Sequence, residues 1–341
     1  LPIYYMATLH QLSYALMVAM GALMVSRGEV TMGSLIACSI LSSRILQPIA
    51  ALPSQLIQWG HCKSALQGLD QIWQLPDDHH GQLPVVLDAV QGNFALHEVV
   101  YGYSAQTALK ISKLDIRSGE KIGILGPIGA GKTTLLRLLS GMYKPQEGRV
   151  LLDQLDIAHI SKPVLAEHVG FLQQEGRLFA GSLRDNLILG LIDPGDDAIM
   201  EAARLTGLLQ AVLAPHPQGL RQMIFEGGSG LSSGQRQLVN LTRVFLRKPR
   251  IWLLDEPTAS MDRSLEVKVM QALAQQIGVN DTFVLVTHKL EMLQLVDRVI
   301  VVADHRIALD GPKAEVLARL QAAPPPTSPP NGPAAPIGAA T

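Results

Sequence analysis

The run Gly126, Pro127, Ile128, Gly129, Ala130, Gly131, Lys132 and Thr133 constrains the fold of this 341-residue chain more than any other feature. It fits G-x-x-x-x-G-K-[ST], follows a strand-like stretch at residues 121–125 and opens a helical pattern that begins at Thr134. A strand that turns through glycines directly into a helix points backbone N–H groups inward around the helix N-terminus, where the macrodipole favours anions. Lys132 adds positive charge to that ring, and Thr133 adds a hydroxyl suited to Mg2+. Residues 126–134 are therefore expected to hold the phosphates of ATP.

A second stretch, residues 251–254, is an apolar strand that ends in two carboxylates, Asp255 and Glu256. In open α/β sheets ligands lie at the carboxyl ends of the strands. Asp255 is placed to hold Mg2+ through water, and Glu256 to polarise a water attacking the γ-phosphate. Strand-like and helical runs alternate from residue 92 to residue 320, which predicts an α/β P-loop NTPase domain with a largely parallel sheet. Residues 231–237, rich in small side chains and set before a helical run, read either as a second phosphate-binding surface or as a plain helix cap.

The positive mean hydropathy is concentrated at the front of the chain. Residues 1–60 carry only Arg27, Glu29 and Arg44 as charged side chains, and residues 1–26 carry none. A run of that length can span a bilayer, which takes about 20 apolar residues, and it lacks the basic start and cleavage site of a signal peptide. Two transmembrane helices are expected, at about 1–26 and 30–59, within a membrane segment of 1–62. Arg44 then either faces a polar pathway or snorkels to the interface. Two helices cannot enclose a route by themselves, so a longer parent with further helices upstream is expected. Residues 63–91 read as a linker, and residues 321–341, rich in Pro and Ala, as a disordered tail. A net charge of −1 offers no basic field for nucleic acid. Cys38 and Cys62 have no ligand-spaced partners and are expected to be free thiols.

Taken in order, these motifs resemble the ATPase domain of ABC transporters, over residues 92–320. The resemblance implies that Tyr103, in the run 100–103, stacks on adenine, with Tyr101 the less suited neighbour. It implies that Gln174 senses Mg2+ and the γ-phosphate, and that His288, at the end of a strand, contacts the γ-phosphate. Ala259, Ser260, Met261 and Asp262 match the D-loop, and Phe225, Glu226, Gly227 and Gly228 match the exporter X-loop. Residues 231–235 match the signature, so Ser232, Gly234 and Gln235 are expected to bind the nucleotide of a second, identical chain. Ser233 departs from the usual glycine and brings a side chain towards the opposing γ-phosphate.

Residues 33–37, 43–48, 226–228, 257–262, 287–289 and 295–298 are further similar to bacterial type I secretion permease/ATPases. That resemblance implies export of a large protein across the bacterial inner membrane, with a periplasmic adaptor, an outer-membrane channel, a secreted protein substrate and the lipid bilayer as partners. Its ATPase domain would face the cytoplasm. An exporter of lipids, small molecules or peptides is the alternative. A soluble ATPase of the same family is opposed by the uncharged residues 1–26, and a regulator without turnover by the presence of Glu256 and His288.

Overall fold

The computed structural model describes residues 2–75, 83–103 and 106–322, except for the side chains of residues 2–7, 9, 10, 43 and 46–53. The expected tail from residue 323 onward and residues 76–82 of the expected linker lie outside the described residues. The chain divides into two compact units, residues 1–80 and 81–341.

The first unit is a helical hairpin, α1 (Pro2–Ser26) and α2 (Met32–Trp73). Thr31 caps α2, its hydroxyl accepting a hydrogen bond from the Ser34 N–H at 3.3 Å. The helices approach closely at Gly21, where any Cβ would collide with Leu35 Cδ1. Helix α2 continues beyond residue 59 to Trp73, through the first part of the segment read as a linker, because residues 63–73 contain no proline and a single glycine. Among the described residues no helix is long and apolar enough to cross a membrane. Leu12, Leu16 and Met20 on α1 and Ile36, Ile40 and Ile45 on α2 are exposed.

The second unit begins with β1 (Phe94–Tyr103), β2 (Gln106–Ile116), β3 (Lys121–Leu125), α3 (Lys132–Leu139), β4 (Glu147–Leu152) and β5 (Leu155–Asp156). It continues with α4 (Lys162–His168), β6 (Val169–Leu172), β7 (Gly181–Ser182), α5 (Leu183–Leu187), α6 (Asp196–Thr206) and β8 (Met223–Ile224). Then follow α7 (Ser233–Arg247), β9 (Ile251–Asp255), α8 (Arg263–Gln276), β10 (Thr282–Val286), β11 (Arg298–Ala303), β12 (Arg306–Pro312) and α9 (Lys313–Ala322).

The main sheet has the order β12-β11-β3-β10-β9-β6, parallel except for the edge strand β12. A parallel sheet is covered on both faces, so its strands read as continuous apolar runs. In β9 the alternation of side chains sends Ile251 and Leu253 into one core, with Ile122, Leu135 and Val284. Trp252 and Leu254 enter the other, with Phe245, Leu241 and Phe283. A second, antiparallel sheet, β2-β1-β4-β5, packs its Leu96, Leu109 and Val150 into the first of these cores. Register places Val286 of β10 opposite both Asp255 of β9 and Ile124 of β3. The carboxyl ends of three adjacent strands therefore align, and the turn before α3, Asp255 and the Thr287 and His288 pair emerge side by side.

Candidate functional site

The turn between β3 and α3 is built on glycines that no other residue can replace. Gly126 has φ +149°, and a Cβ there would collide with the Val302 carbonyl. Gly131 has φ +105°, and its Cβ would lie 2.5 Å from the Ala108 carbonyl oxygen. The resulting loop wraps the Lys132 side chain, which is 7 % exposed and donates from Nζ to the carbonyls of Gly126 and Pro127, each at 2.8 Å. Burial pulls the ammonium below the usual lysine range, and the charges of Glu256 and Asp255 oppose that shift.

Thr133 Oγ1 donates to Asp255 Oδ2 at 2.6 Å. Asp255 is 1 % exposed. Burial pushes its carboxyl above the ordinary carboxylate range, the Thr133 hydroxyl counters this, and the Glu256 charge adds to the rise. Glu256 sits in the left-handed region at φ +48°, held by its N–H on the Val286 carbonyl (2.9 Å) and by the Gln237 amide on its own carbonyl (2.7 Å). Such a conformation persists only where the surroundings over-determine it, and it clusters at functional sites. It turns the side chain towards His288, whose Nε2 lies 3.2 Å from Glu256 Oε1.

These groups open on one cavity of about 840 Å³, lined by Tyr103, Gln106, Thr107, Ala108, Ile128, Gly129, Gly131, Lys132, Thr133, Thr134, Gln174, Asp255, Glu256, His288 and His305. Tyr103 marks one end. Its ring meets Tyr101 edge-on at 5.4 Å, and its hydroxyl lies 3.4 Å from Thr134 Oγ1. Tyr101 is stacked on Tyr143 at 4.7 Å, which occupies a face that a base would need. Arg137 donates to the Tyr143 hydroxyl at 2.7 Å and stands 5.3 Å over its ring.

Ser232, Gly234 and Gln235 do not line this cavity. They form the start of α7, where Ser232 Oγ accepts from Gln235 N at 3.2 Å and Gln235 Oε1 accepts from Ser232 N at 2.9 Å, a capping box. Gln235 also donates to the Ala211 carbonyl at 3.0 Å. Ser233 is exposed and borders a separate groove of about 630 Å³, shared with Gln174 and Glu226. Both readings of residues 231–237 are thus compatible with one chain, since the box caps α7 while leaving its N-terminus on the surface. Pro127 and Ala130 belong to the loop through their backbone, and Ala130 is buried. Arg137, Tyr143 and His305 were not singled out in the sequence. Arg137 follows Thr133 by one helical turn and was legible in principle, whereas Tyr143 and His305 reach the site only through tertiary packing.

The oxygen donors Thr133, Gln174 and Asp255 border the same cavity, a set that suits Mg2+, which binds one or two carboxylates together with substrate phosphates. Among the described residues no cluster of three or more His, Cys, Asp or Glu is placed to hold a metal by itself.

Residues 109–259 match the model of the family described as ABC transporter. The chain is 30 % identical over 317 residues to the uncharacterized ABC transporter ATP-binding protein YfiC of Bacillus subtilis, covering 92 % of this chain and 52 % of that protein. It is 32 % identical over 309 residues to the cyclolysin secretion/processing ATP-binding protein CyaB of Bordetella pertussis (89 % of this chain, 43 % of the relative). It is 31 % identical over 302 residues to the leukotoxin translocation ATP-binding protein LktB of Mannheimia haemolytica (87 % and 42 %). The chain spans about half the length of these relatives. Among solved structures it is similar to a bacterial Atm1-family ABC exporter with ATP bound, with TM-score 0.77 and 26 % identity, over 92 % of this chain and 55 % of the other.

Proposed function

This chain carries an ATPase domain of the ABC transporter family, and from that premise we propose that two copies of it bind and hydrolyse ATP between them to drive export across a bacterial inner membrane. One observation carries the reading. Ile128, Gly129, Gly131, Lys132, Thr133, Thr134, Gln174, Asp255, Glu256 and His288 share a single cavity, while Ser232, Gly234 and Gln235 stand on another part of the same domain. We therefore read the two sets as halves of a phosphate site that a second copy completes.

The shared cavity and the family resemblance together support these roles. Tyr103 stacks on the adenine, and the backbone from Gly126 to Thr134 with Lys132 receives the phosphates. Thr133, Asp255 and Gln174 would hold Mg2+, which would supply charge neutralisation at the phosphates when bound. Glu256 orients the attacking water and takes up its proton, with His288 fixing the carboxylate. Helix α7 of the partner presents Ser232, Gly234 and Gln235 to the γ-phosphate, so closure of the pair depends on bound nucleotide.

The exposed apolar side chains of α1 and α2 support their placement in the bilayer as the last part (residues 1–62) of an exporter membrane domain, joined by residues 63–91 to the ATPase domain at 92–320. The secretion and translocation relatives favour a protein or large peptide as cargo, and the resemblance to type I secretion proteins adds a periplasmic adaptor and an outer-membrane channel as proposed partners. Export of a lipid, small molecule or small peptide by the same ATPase machinery is the second reading.

The test uses two inactive full-length chains in lipid vesicles. Lys132→Ala disables the phosphate loop. Ser233→Glu places a negative charge at the signature, where an acidic residue in the first turn of a helix leaves the helix intact. Each homodimer is inactive, and mixing the two restores hydrolysis, because one hybrid site joins an intact loop to an intact signature. Failure of mixtures that do form hybrid dimers to hydrolyse ATP would contradict the two-copy site. Stimulation of turnover by the C-terminal segment of a co-encoded secreted protein separates protein cargo from small cargo.

A further inference from the structure

We infer that His305 is a nucleotide contact, its Nε2 accepting a hydrogen bond from a ribose hydroxyl of the bound ATP. The inference rests on the reading of the cavity as an ATP site and assigns one more residue to it. His305 lies outside every motif of the sequence, in the two-residue turn that joins β11 to β12. Both turn residues are left-handed, Asp304 at φ +48° and His305 at φ +61°. Hairpin turns of this kind favour glycine at the second position, so an imidazole there carries a conformational cost. Strain of this sort is retained where a side chain is needed, and this one lines the cavity.

The turn is clamped in place. The Lys110 N–H donates to the His305 carbonyl at 2.7 Å, and His305 Nδ1 lies 3.0 Å from the Ala108 carbonyl oxygen. A carbonyl only accepts, so Nδ1 carries the hydrogen, and in the neutral ring Nε2 is left as an acceptor. Among the described residues no hydrogen bond engages Nε2. The same Ala108 carbonyl packs against Gly131 of the phosphate loop. His305 thereby stands beside the phosphate loop, on the wall of the cavity that Tyr103 also lines. Along a nucleotide with its base at Tyr103 and its phosphates at Gly131, that position belongs to the ribose, whose hydroxyls are donors that an unpaired imidazole nitrogen accepts.

The test compares binding of ATP, 2′-deoxy-ATP and 3′-deoxy-ATP, each with Mg2+, to the full chain and to His305→Gly and His305→Asn. Both replacements tolerate the left-handed region, so the turn survives, and thermal melting checks this. The expected result is a loss of about three- to ten-fold in ATP affinity for His305→Gly, the scale of one hydrogen bond. With the analogue that lacks the accepted hydroxyl, the parental chain and the variant bind alike. Equal losses with all three nucleotides, or no loss with ATP, overturn the assignment. A folded parental chain that binds no ATP overturns instead the reading of the cavity itself.

Discussion

The Thr133 hydroxyl and the Asp255 carboxylate are joined by a hydrogen bond of 2.6 Å, which ties the first turn of α3 to the end of β9. The bond joins two motifs 122 positions apart in the chain, and Asp255 is buried with no salt-bridge partner among the described residues. Burial raises the Asp255 pKa, so the folded chain keeps a proton that the unfolded chain releases. Its contribution to stability is therefore greatest below the ordinary carboxylate pKa of about 4 and falls as pH rises through the raised value.

Asp255→Asn removes that penalty. Without nucleotide, the variant is expected to melt about 2–4 °C above the parent at neutral pH, with the gap closing towards pH about 4. Its Mg2+-dependent hydrolysis is expected to be lost. Melting curves across pH check the first outcome, and a gap that widens on acidification would contradict it.

The two tyrosines of β1 are expected to part company. Tyr103→Ala weakens ATP binding about five- to ten-fold, the scale of one aromatic stacking contact, and lowers the melting temperature less than Tyr101→Ala does, since Tyr103 meets its neighbours only edge-on. Tyr101→Ala breaks the 4.7 Å stack on Tyr143, lowers the melting temperature, and leaves ATP affinity near the parental value. Binding titrations paired with thermal melts separate the two.

Ser233 occupies the first position of α7 and is exposed. If its side chain crowds the phosphate presented by the partner copy, Ser233→Gly raises turnover several-fold while the melting temperature stays within about 2 °C, since glycine at a helix start costs little. Steady-state ATP hydrolysis decides the matter, and an unchanged rate would clear Ser233 of any brake.

Much of the site was legible in the sequence because its chemistry is carried by contiguous runs. Gly126 to Thr133 had to be a loop between strand and helix, and an apolar strand closing on Asp255 and Glu256 had to end where ligands bind. The parallel register that aligns Val286 with Asp255 and Ile124 explains why His288 arrives beside Glu256, although 32 positions in the numbering separate the two residues. The sequence favours Tyr103 over Tyr101 only through the family resemblance; the physical reason, the stack of Tyr101 on Tyr143, is hidden there because Tyr143 lies after α3 and reaches β1 only by packing. His305 left no sequence signal, because a two-residue hairpin turn gives no hint of what it faces. The run of α2 to Trp73 was obscured by composition: residues 63–73 are polar enough to resemble a linker, yet nothing in them stops a helix.

The most direct test of the account is the ATP hydrolysis rate of Glu256→Gln, measured beside its ATP binding. The substitution keeps the shape and the backbone contacts of Glu256 while removing the carboxylate. Hydrolysis is expected to fall by about 10²–10³-fold, with ATP affinity retained and ATP holding the chain as a closed pair. Hydrolysis at the parental rate would contradict the assignment of Glu256 and, with it, the catalytic geometry proposed for this cavity.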